Sequence, residues 1–419
     1  MALRWRVAVL LCLITTINYL DRQALAVAGP VIVDEFGLSN TQFGAINSAF
    51  LLTYAVGHLL AGPFVDRFGT RRAFGIAVVA WSLAGMLHAA GRGFASFLAL
   101  RALLGITEAA NFPAALKAVA EWFPRRDRAL AVGIVTVGPG LGAVLAPPLL
   151  GGLISEFGWP WAFLLPGLAG FVWLWAWLAW YQLPERHPGL APDERALILA
   201  DRDPERGPAR KWTARQLLDF LRFRETWGLL LSRFANDGAF YFFVAWLPLY
   251  LVQARGFDIR QIAAFAWIPF VAADAGSLIG GWAGGRLIAR GWSVDASRKA
   301  IIWSGALLVP LTLPAATSES PTVAIALIGL AMFAIQVKAS NLFALPVDLF
   351  AAREAASIWG LFGAVGSFGG MAFVAAVGWA SDRFSYEPVF WAVGLTQLLS
   401  AVFISLLIPR IEPLPSRSA

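Results

Sequence analysis

Asp21 and Arg22 stand side by side in the run Ile17-Asn18-Tyr19-Leu20-Asp21-Arg22-Gln23, with almost wholly apolar sequence over 7–17 and 24–33. An acid beside a base inside an apolar stretch can pair, hold a charged ligand or pass a proton. If the stretch crosses a bilayer, each charge near the midplane costs at least about 2.5–3.5 kcal/mol. Two readings follow: a mutual ion pair that welds helices, or a binding or proton-relay site. A second such set lies further along, where Arg101 precedes Glu108 by seven residues. That spacing is two helical turns, roughly 10 Å along one face, so direct pairing within the helix is strained. Arg101 is therefore expected to answer Asp21 from a neighbouring helix. A carboxyl in a low-dielectric cavity can be neutral in one state and ionised once water or a cation reaches it, as coupling to a proton gradient requires. Arg22 is the candidate holder of an anionic substrate, because its planar fork matches a carboxylate in two bonds.

These groups need a membrane scaffold, and the composition supplies one. Of 419 residues, 58% are hydrophobic and 14% charged, against about 25% charged in soluble domains. The 19 tryptophans and 31 phenylalanines suit interfacial belts and lipid-facing surface. A net charge of +7 falls in short basic clusters between apolar spans, a topology signal and not a nucleic-acid surface. The single cysteine, Cys12, excludes an intramolecular disulfide. The N-terminal apolar run continues past signal-peptide length without a small-residue cleavage site, and reads as an uncleaved first span.

Windows of about 20 apolar residues mark twelve spans, the fourth near 94–122, the fifth near 129–154 and the seventh near 226–253. Basic residues collect in alternate loops (Arg67, Arg71 and Arg72; Arg125, Arg126 and Arg128; Arg290, Arg298 and Lys299). Those loops are predicted to be cytoplasmic, which puts both termini inside. Residues 183–225 differ from the rest: five prolines with charges of both signs, read as a cytoplasmic linker. The expectation is an all-α membrane protein of twelve transmembrane helices in two pseudo-symmetric six-helix halves, 1–182 and 226–419. Such a layout places a transporter's site near the midplane between the halves.

The string Gly62…Asp66-Arg67…Gly69…Arg71-Arg72 resembles the cytoplasmic signature of the major facilitator superfamily, and Arg101 with Gly105 its fourth-helix signature. Asn18-Tyr19-Leu20-Asp21-Arg22, Gly105-Ile106-Thr107-Glu108-Ala109-Ala110-Asn111-Phe112-Pro113 and Glu121-Trp122-Phe123-Pro124 resemble the anion:cation symporters within it. Trp246-Leu247-Pro248-Leu249-Tyr250-Leu251, Arg290-Gly291-Trp292-Ser293-Val294, and Asn341-Leu342-Phe343 with Asp348-Leu349-Phe350 are most similar to bacterial hexuronate transporters.

The resemblance marks Asp21 and Glu108 as proton sites and offers Tyr19 and Tyr54 to sugar-like ligands. It makes Gly62, Asp66, Arg67, Arg71 and Arg72 a cytoplasmic conformational latch that does not touch the ligand. His58, where relatives more often have Gln, reads as a polar lining residue; His88 and His187, near span ends, carry little signal. Lys338 falls in the tenth span where relatives usually have Trp, with Asp237 and Asp274 at similar depth. Two readings of Lys338 stand: an internal pair with one of those acids, or a second cationic grip suited to a dianion. Ser340 and Asn341 are candidates to meet hydroxyls, and Thr136 is the polar residue left in a fifth span that has lost others.

The leading expectation is a proton-coupled importer of an organic anion, a hexuronate or related sugar acid, working by alternating access as a monomer in a bacterial inner membrane. The alternatives are an organic-anion exchanger, for which Gly138-Pro139-x-x-Gly142 is the sequence support, and a symporter of a non-sugar or dianionic carboxylate. A transporter-like sensor needs an added signalling domain, for which residues 183–225 look too short and irregular. No nucleophile–base set, nucleotide-binding loop, cofactor motif or metal-ligand cluster is visible, so neither an enzyme nor an ATP-driven pump is expected.

Overall fold

The computed structural model of the chain describes residues 2–200, 220–350 and 352–414. Residues 201–219 of the expected linker, Pro204 and Pro208 among them, lie outside these. Among the described residues every regular element is helical. In chain order these are α1 (Leu3–Phe36), α2 (Asn40–Phe68), α3 (Thr70–Leu87), α4 (Phe94–Glu108), α5 (Asn111–Trp122), α6 (Arg125–Phe157) and α7 (Trp161–Trp180). A short α8 (Pro192–Ala200) follows in the linker region, then α9 (Arg224–Arg255), α10 (Ile259–Phe265) and α11 (Ile268–Ala289). The last are α12 (Val294–Leu308), α13 (Pro321–Leu342), α14 (Leu345–Leu349), α15 (Ala352–Arg383) and α16 (Glu387–Leu407).

Ten helical stretches among the described residues are long and apolar enough to cross a membrane. Two of the expected spans fall outside that ten for identifiable reasons. The fourth is broken into α4 and α5, because Pro113 has no N–H and its ring clashes with the carbonyl four residues back, at Ala109. The seventh, α9, carries Arg233, Asn236 and Asp237 in its first half, which dilute its apolar character.

The chain separates into two compact units, Met1–Ala28 with Thr53–Lys211, and Gly29–Leu52 with Trp212–Ala419. In the first, α1 is the element the others are built around. Added methyl groups at Gly138 and Gly142 of α6 would collide with Cys12, Thr16 and Tyr19 of α1, so these glycines let α6 lie against the face that carries Tyr19. Gly57 of α2 does the same toward Ile106 and Ala109, bringing Tyr54 and His58 beside the end of α4. A ladder of rings ties α3 to α7: Phe74 meets Trp173 and Trp177, and Trp177 stacks on Tyr181 at 3.8 Å. The tryptophans thus divide. Trp175, Trp282 and Trp391 are exposed as belts require, whereas Trp81, Trp122, Trp177 and Trp246 are fully buried core.

In the second unit Gly276, Gly280 and Gly284 of α11 face Phe333, Val337 and Asn341 of α13, advancing by four on both helices. The constant register makes the two helices run parallel at backbone contact, which small residues permit in a membrane bundle. At the other end, Leu342, Leu345, Leu349, Phe350, Phe362 and Ile404 join one apolar core beneath α14.

That register makes a test. A Cβ at Gly280 would lie 2.5 Å from the Val337 carbonyl oxygen and 2.6 Å from Ser340 Oγ, whereas one at Gly281 meets nothing within 4 Å. Gly280→Ala is expected to destabilise the detergent-solubilised protein by about 1–3 kcal/mol through overpacking. Gly281→Ala should leave the thermal unfolding midpoint close to wild type; equal midpoints for the two variants would refute the packing register.

Candidate functional site

The charges of α1 and α4 meet inside the first unit. Arg22 donates from Nε and Nη2 to the same Glu108 oxygen, Oε2, at 3.2 and 3.0 Å. Glu108 can reach it because the Pro113 break ends α4 at that residue. The Arg22 guanidinium also lies over two rings, Tyr19 at 4.5 Å and Tyr54 at 4.4 Å, so its charge is stabilised on its faces as well as its edge. His58 of α2 stands edge-on to Tyr54 at 4.3 Å and is exposed, while Tyr54 beneath it is buried. Asn111, opening α5, donates to Asn18 at 3.4 Å, one turn before Arg22 on α1.

Asp21 and Arg101 depart from the expected pairing. Arg101 Nη2 donates to the backbone carbonyl of Arg22 at 3.1 Å. Both Asp21 carboxyl oxygens are buried without a hydrogen bond among the described residues. Gly85 of α3 leaves room for this carboxyl; a Cβ there would lie 3.0 Å from Oδ1. Arg101 therefore locks α4 to the backbone of α1. All four groups are almost wholly buried: Asp21 is 2%, Arg22 7%, Arg101 3% and Glu108 1% exposed. Two acids against two bases leave the cluster balanced in charge.

The second unit holds a different cluster. Lys338 is completely buried and donates to the Gln397 carbonyl of α16 at 3.3 Å. No ion pair joins it to Asp237 among the described residues. Asp237 itself faces Arg233, one turn earlier on α9, with Nε to Oδ2 at 2.9 Å, and takes a bond from Asn236 at 3.1 Å. Asp274 is not a partner of Lys338: it is exposed on α11 and reached by no bond to the lysine, because the α11 face packed on α13 is the glycine face. Asn341 is engaged within the protein. Its amide donates to the Gly280 carbonyl at 2.8 Å and accepts from Arg298 at 3.0 Å, so it pins α13 to α11 and α12. Ser340 lies in the same seam, donating to the Val337 carbonyl at 2.9 Å. Thr136 of α6 is exposed, its hydroxyl turned back on the Gly133 carbonyl at 2.9 Å.

The residues expected to form a latch gather at the far end of α2. Asp66 accepts from Lys117 of α5 at 2.7 Å, an exposed pair. Arg71 donates to the Leu178 carbonyl of α7, and Arg67 lies 5.7 Å over Phe68. Arg72 is exposed and Gly62 half-buried. Beneath them, Glu121 of α5 takes the Thr70 hydroxyl at 2.7 Å and the Tyr181 hydroxyl at 2.6 Å, fastening α5 to the start of α3 and the end of α7. His187 packs edge-on to Trp122 in the connector, and burial lowers its imidazole below the ordinary range. Lys117, Glu121, Tyr181 and Arg233 were not legible as partners. For Arg233 the signal was present: an Arg-x-x-x-Asp spacing puts base and acid on one helix face.

Comparison with known proteins agrees with this architecture. The sequence model of the Major Facilitator Superfamily matches residues 11–374. The chain is 33% identical over 406 residues to the hexuronate transporter of Escherichia coli K12, covering 96% of this chain and 93% of that one. It is 36% identical over 330 residues to the galacturonate transporter of Dickeya chrysanthemi, covering 77% of this chain and 94% of that one. Among solved structures, a bacterial homolog of the human lysosomal transporter Spinster, inward-facing and occupied, superposes with TM-score 0.75 at 19% identity over 97% of this chain and 95% of that one.

Removing one member of the Arg22–Glu108 pair should cost far more than removing both. Glu108→Ala strands a buried guanidinium, a loss of about 3–5 kcal/mol, while the double variant Arg22→Leu/Glu108→Leu should recover most of it. Thermal unfolding of the purified protein reads the difference, and a Glu108→Ala protein no less stable than the double variant would show that the pair is no brace.

Proposed function

The chain belongs to the Major Facilitator Superfamily, and from that premise we propose that it is a proton-coupled importer of an organic anion, a hexuronate or closely related sugar acid. It works by alternating access in the bacterial cytoplasmic membrane. In this reading the chain forms twelve spans in two halves, 1–182 and 226–419, joined by 183–225, with both termini cytoplasmic.

The observation that carries the proposal is the Arg22–Glu108 bond at 3.0 Å between the Tyr19 and Tyr54 rings. One guanidinium fork has two suitors, the Glu108 carboxylate and the carboxylate of a substrate. A proton on Glu108 removes its negative charge and weakens its hold, and the fork then takes the substrate carboxylate in two bonds. The proton on Glu108 and the carboxylate on Arg22 offset each other in charge. The buried Asp21 carboxyl, without a donor, suits a second proton, since an ionised carboxylate left without partners in that setting is costly. Arg101 keeps α4 seated on the α1 backbone while Arg22 changes partner. Tyr54, His58 and Thr136 supply ring faces and polar groups to the hydroxylated body of the ligand.

The names of the similar proteins support a sugar acid as cargo. The exchanger reading keeps little of its own, because Gly138 and Gly142 serve the packing of α6 on α1.

Proteoliposomes test the coupling. Wild type should accumulate labelled galacturonate when an inward proton gradient is imposed without internal substrate. Glu108→Gln should lose that accumulation yet retain counterflow exchange down a substrate gradient. Normal accumulation by Glu108→Gln would overturn the coupling assignment; an absolute need for internal substrate in wild type would favour exchange.

A further inference from the structure

The last turns of α1 and the first turns of α2 belong to the second unit, since Gly29–Leu52 groups with Trp212–Ala419. Named contacts hold them there. Asp382 of α15 accepts from the Asn40 and Thr41 amides at 2.9 and 2.7 Å, two of the donors that a helix N-terminus leaves open. Gln253 of α9 ties the same turn to the start of α16. Its amide donates to Asn40 Oδ1 at 3.0 Å, and its oxygen accepts from the Tyr386 hydroxyl at 2.7 Å.

Gln253 also lines a cavity of about 440 Å³, with the end of α1 on one side and the end of α9 and the start of α10 on the other. That volume lies within the roughly 300–1,000 Å³ of small-molecule sites. The lining is apolar except for Asp34, Gln253 and Asp258, and none of it is basic. Asp34 and Asp258 are exposed, whereas Pro30, Leu249, Phe257 and Ile262 are buried, so a rim of carboxylates stands over an apolar floor. Asp258 uses Oδ1 for the Gln261 amide that opens α10, which leaves Oδ2 for a ligand. Arg255, close by in sequence, is turned to the Ala315 and Ala316 carbonyls.

We propose that this cavity binds a small organic ammonium ion with an apolar tail, taken from the aqueous phase, and that the occupant holds Gly29–Leu52 in place. The tail fills the apolar floor, where its removal from water supplies most of the affinity. The ammonium group donates to the Asp34 and Asp258 carboxylates, whereas an anion of the same shape meets two like charges. The walls come from two chain segments, 30–34 and 249–262, and enclose a cavity only while these stay together. An occupant therefore stabilises that arrangement by its own binding free energy and brakes any conformational step that parts the segments. The inference depends neither on the cargo nor on its coupling to protons.

Isothermal titration of the purified full-length protein with phenylbutylammonium tests the site, with phenylbutanol and phenylbutanoate as the uncharged and anionic controls. The ammonium should bind about tenfold more tightly than either control. Asp34→Asn/Asp258→Asn should lose that preference; both positions are exposed, and asparagine caps a helix as well as aspartate does. Adding the ammonium should slow hydrogen exchange at the Asn40 and Thr41 amides of the wild type and leave the double variant unchanged. No binding of the ammonium, equal binding of the three probes, or a double variant that keeps the preference overturns the site. Binding without slower exchange overturns the brake. Loss of ammonium binding in nanodiscs of phosphatidylethanolamine, but not of phosphatidylglycerol, assigns the cavity to a lipid head group and overturns the free amine as its occupant.

Discussion

A charge in an apolar interior has to be paired, neutralised or given up, and the architecture of the first unit is arranged around one such pairing. Arg22 is completed by Glu108 on its edge and by Tyr19 and Tyr54 on its faces. For that to happen α4 must stop at Glu108, which Pro113 brings about by denying the helix the Ala109 carbonyl. Three close approaches complete the setting: α6 on α1 at Gly142, α2 on α4 at Gly57, and the Asp21 carboxyl beside Gly85 of α3. Larger residues at Gly142 or Gly57 would press on the helices that present Tyr19 and Tyr54, and one at Gly85 would press on the Asp21 carboxyl.

The same pairing explains how a static brace can become a coupling device. A ligand shifts an equilibrium only by its differential affinity for the two states. In the proposed cycle the substrate carboxylate and the ionised Glu108 compete for one fork, so each proton bound by Glu108 raises the affinity for the anion. Linkage requires the reverse by the same factor: bound anion raises the affinity of Glu108 for its proton. No signal has to travel between distant elements, because the competitors meet on a single side chain.

Much of this was readable from residue types and spacing. A charged pair inside an apolar run announces itself through its cost, and Asp21, Arg22, Arg101 and Glu108 do come together. Which atom pairs with which was not readable. Helical spacing excludes a strained Arg101–Glu108 contact, but it cannot tell whether Arg101 meets the side chain of Asp21 or the backbone of Arg22. Asn341 illustrates a related point: a polar side chain in a span looks free in sequence, whereas here its amide satisfies carbonyl and guanidinium groups across a helix seam. Asp274 shares depth with Lys338 but not direction, and direction depends on which face the glycines of α11 turn toward α13. The Arg233–Asp237 pair follows from spacing alone, since base and acid stand one turn apart on α9.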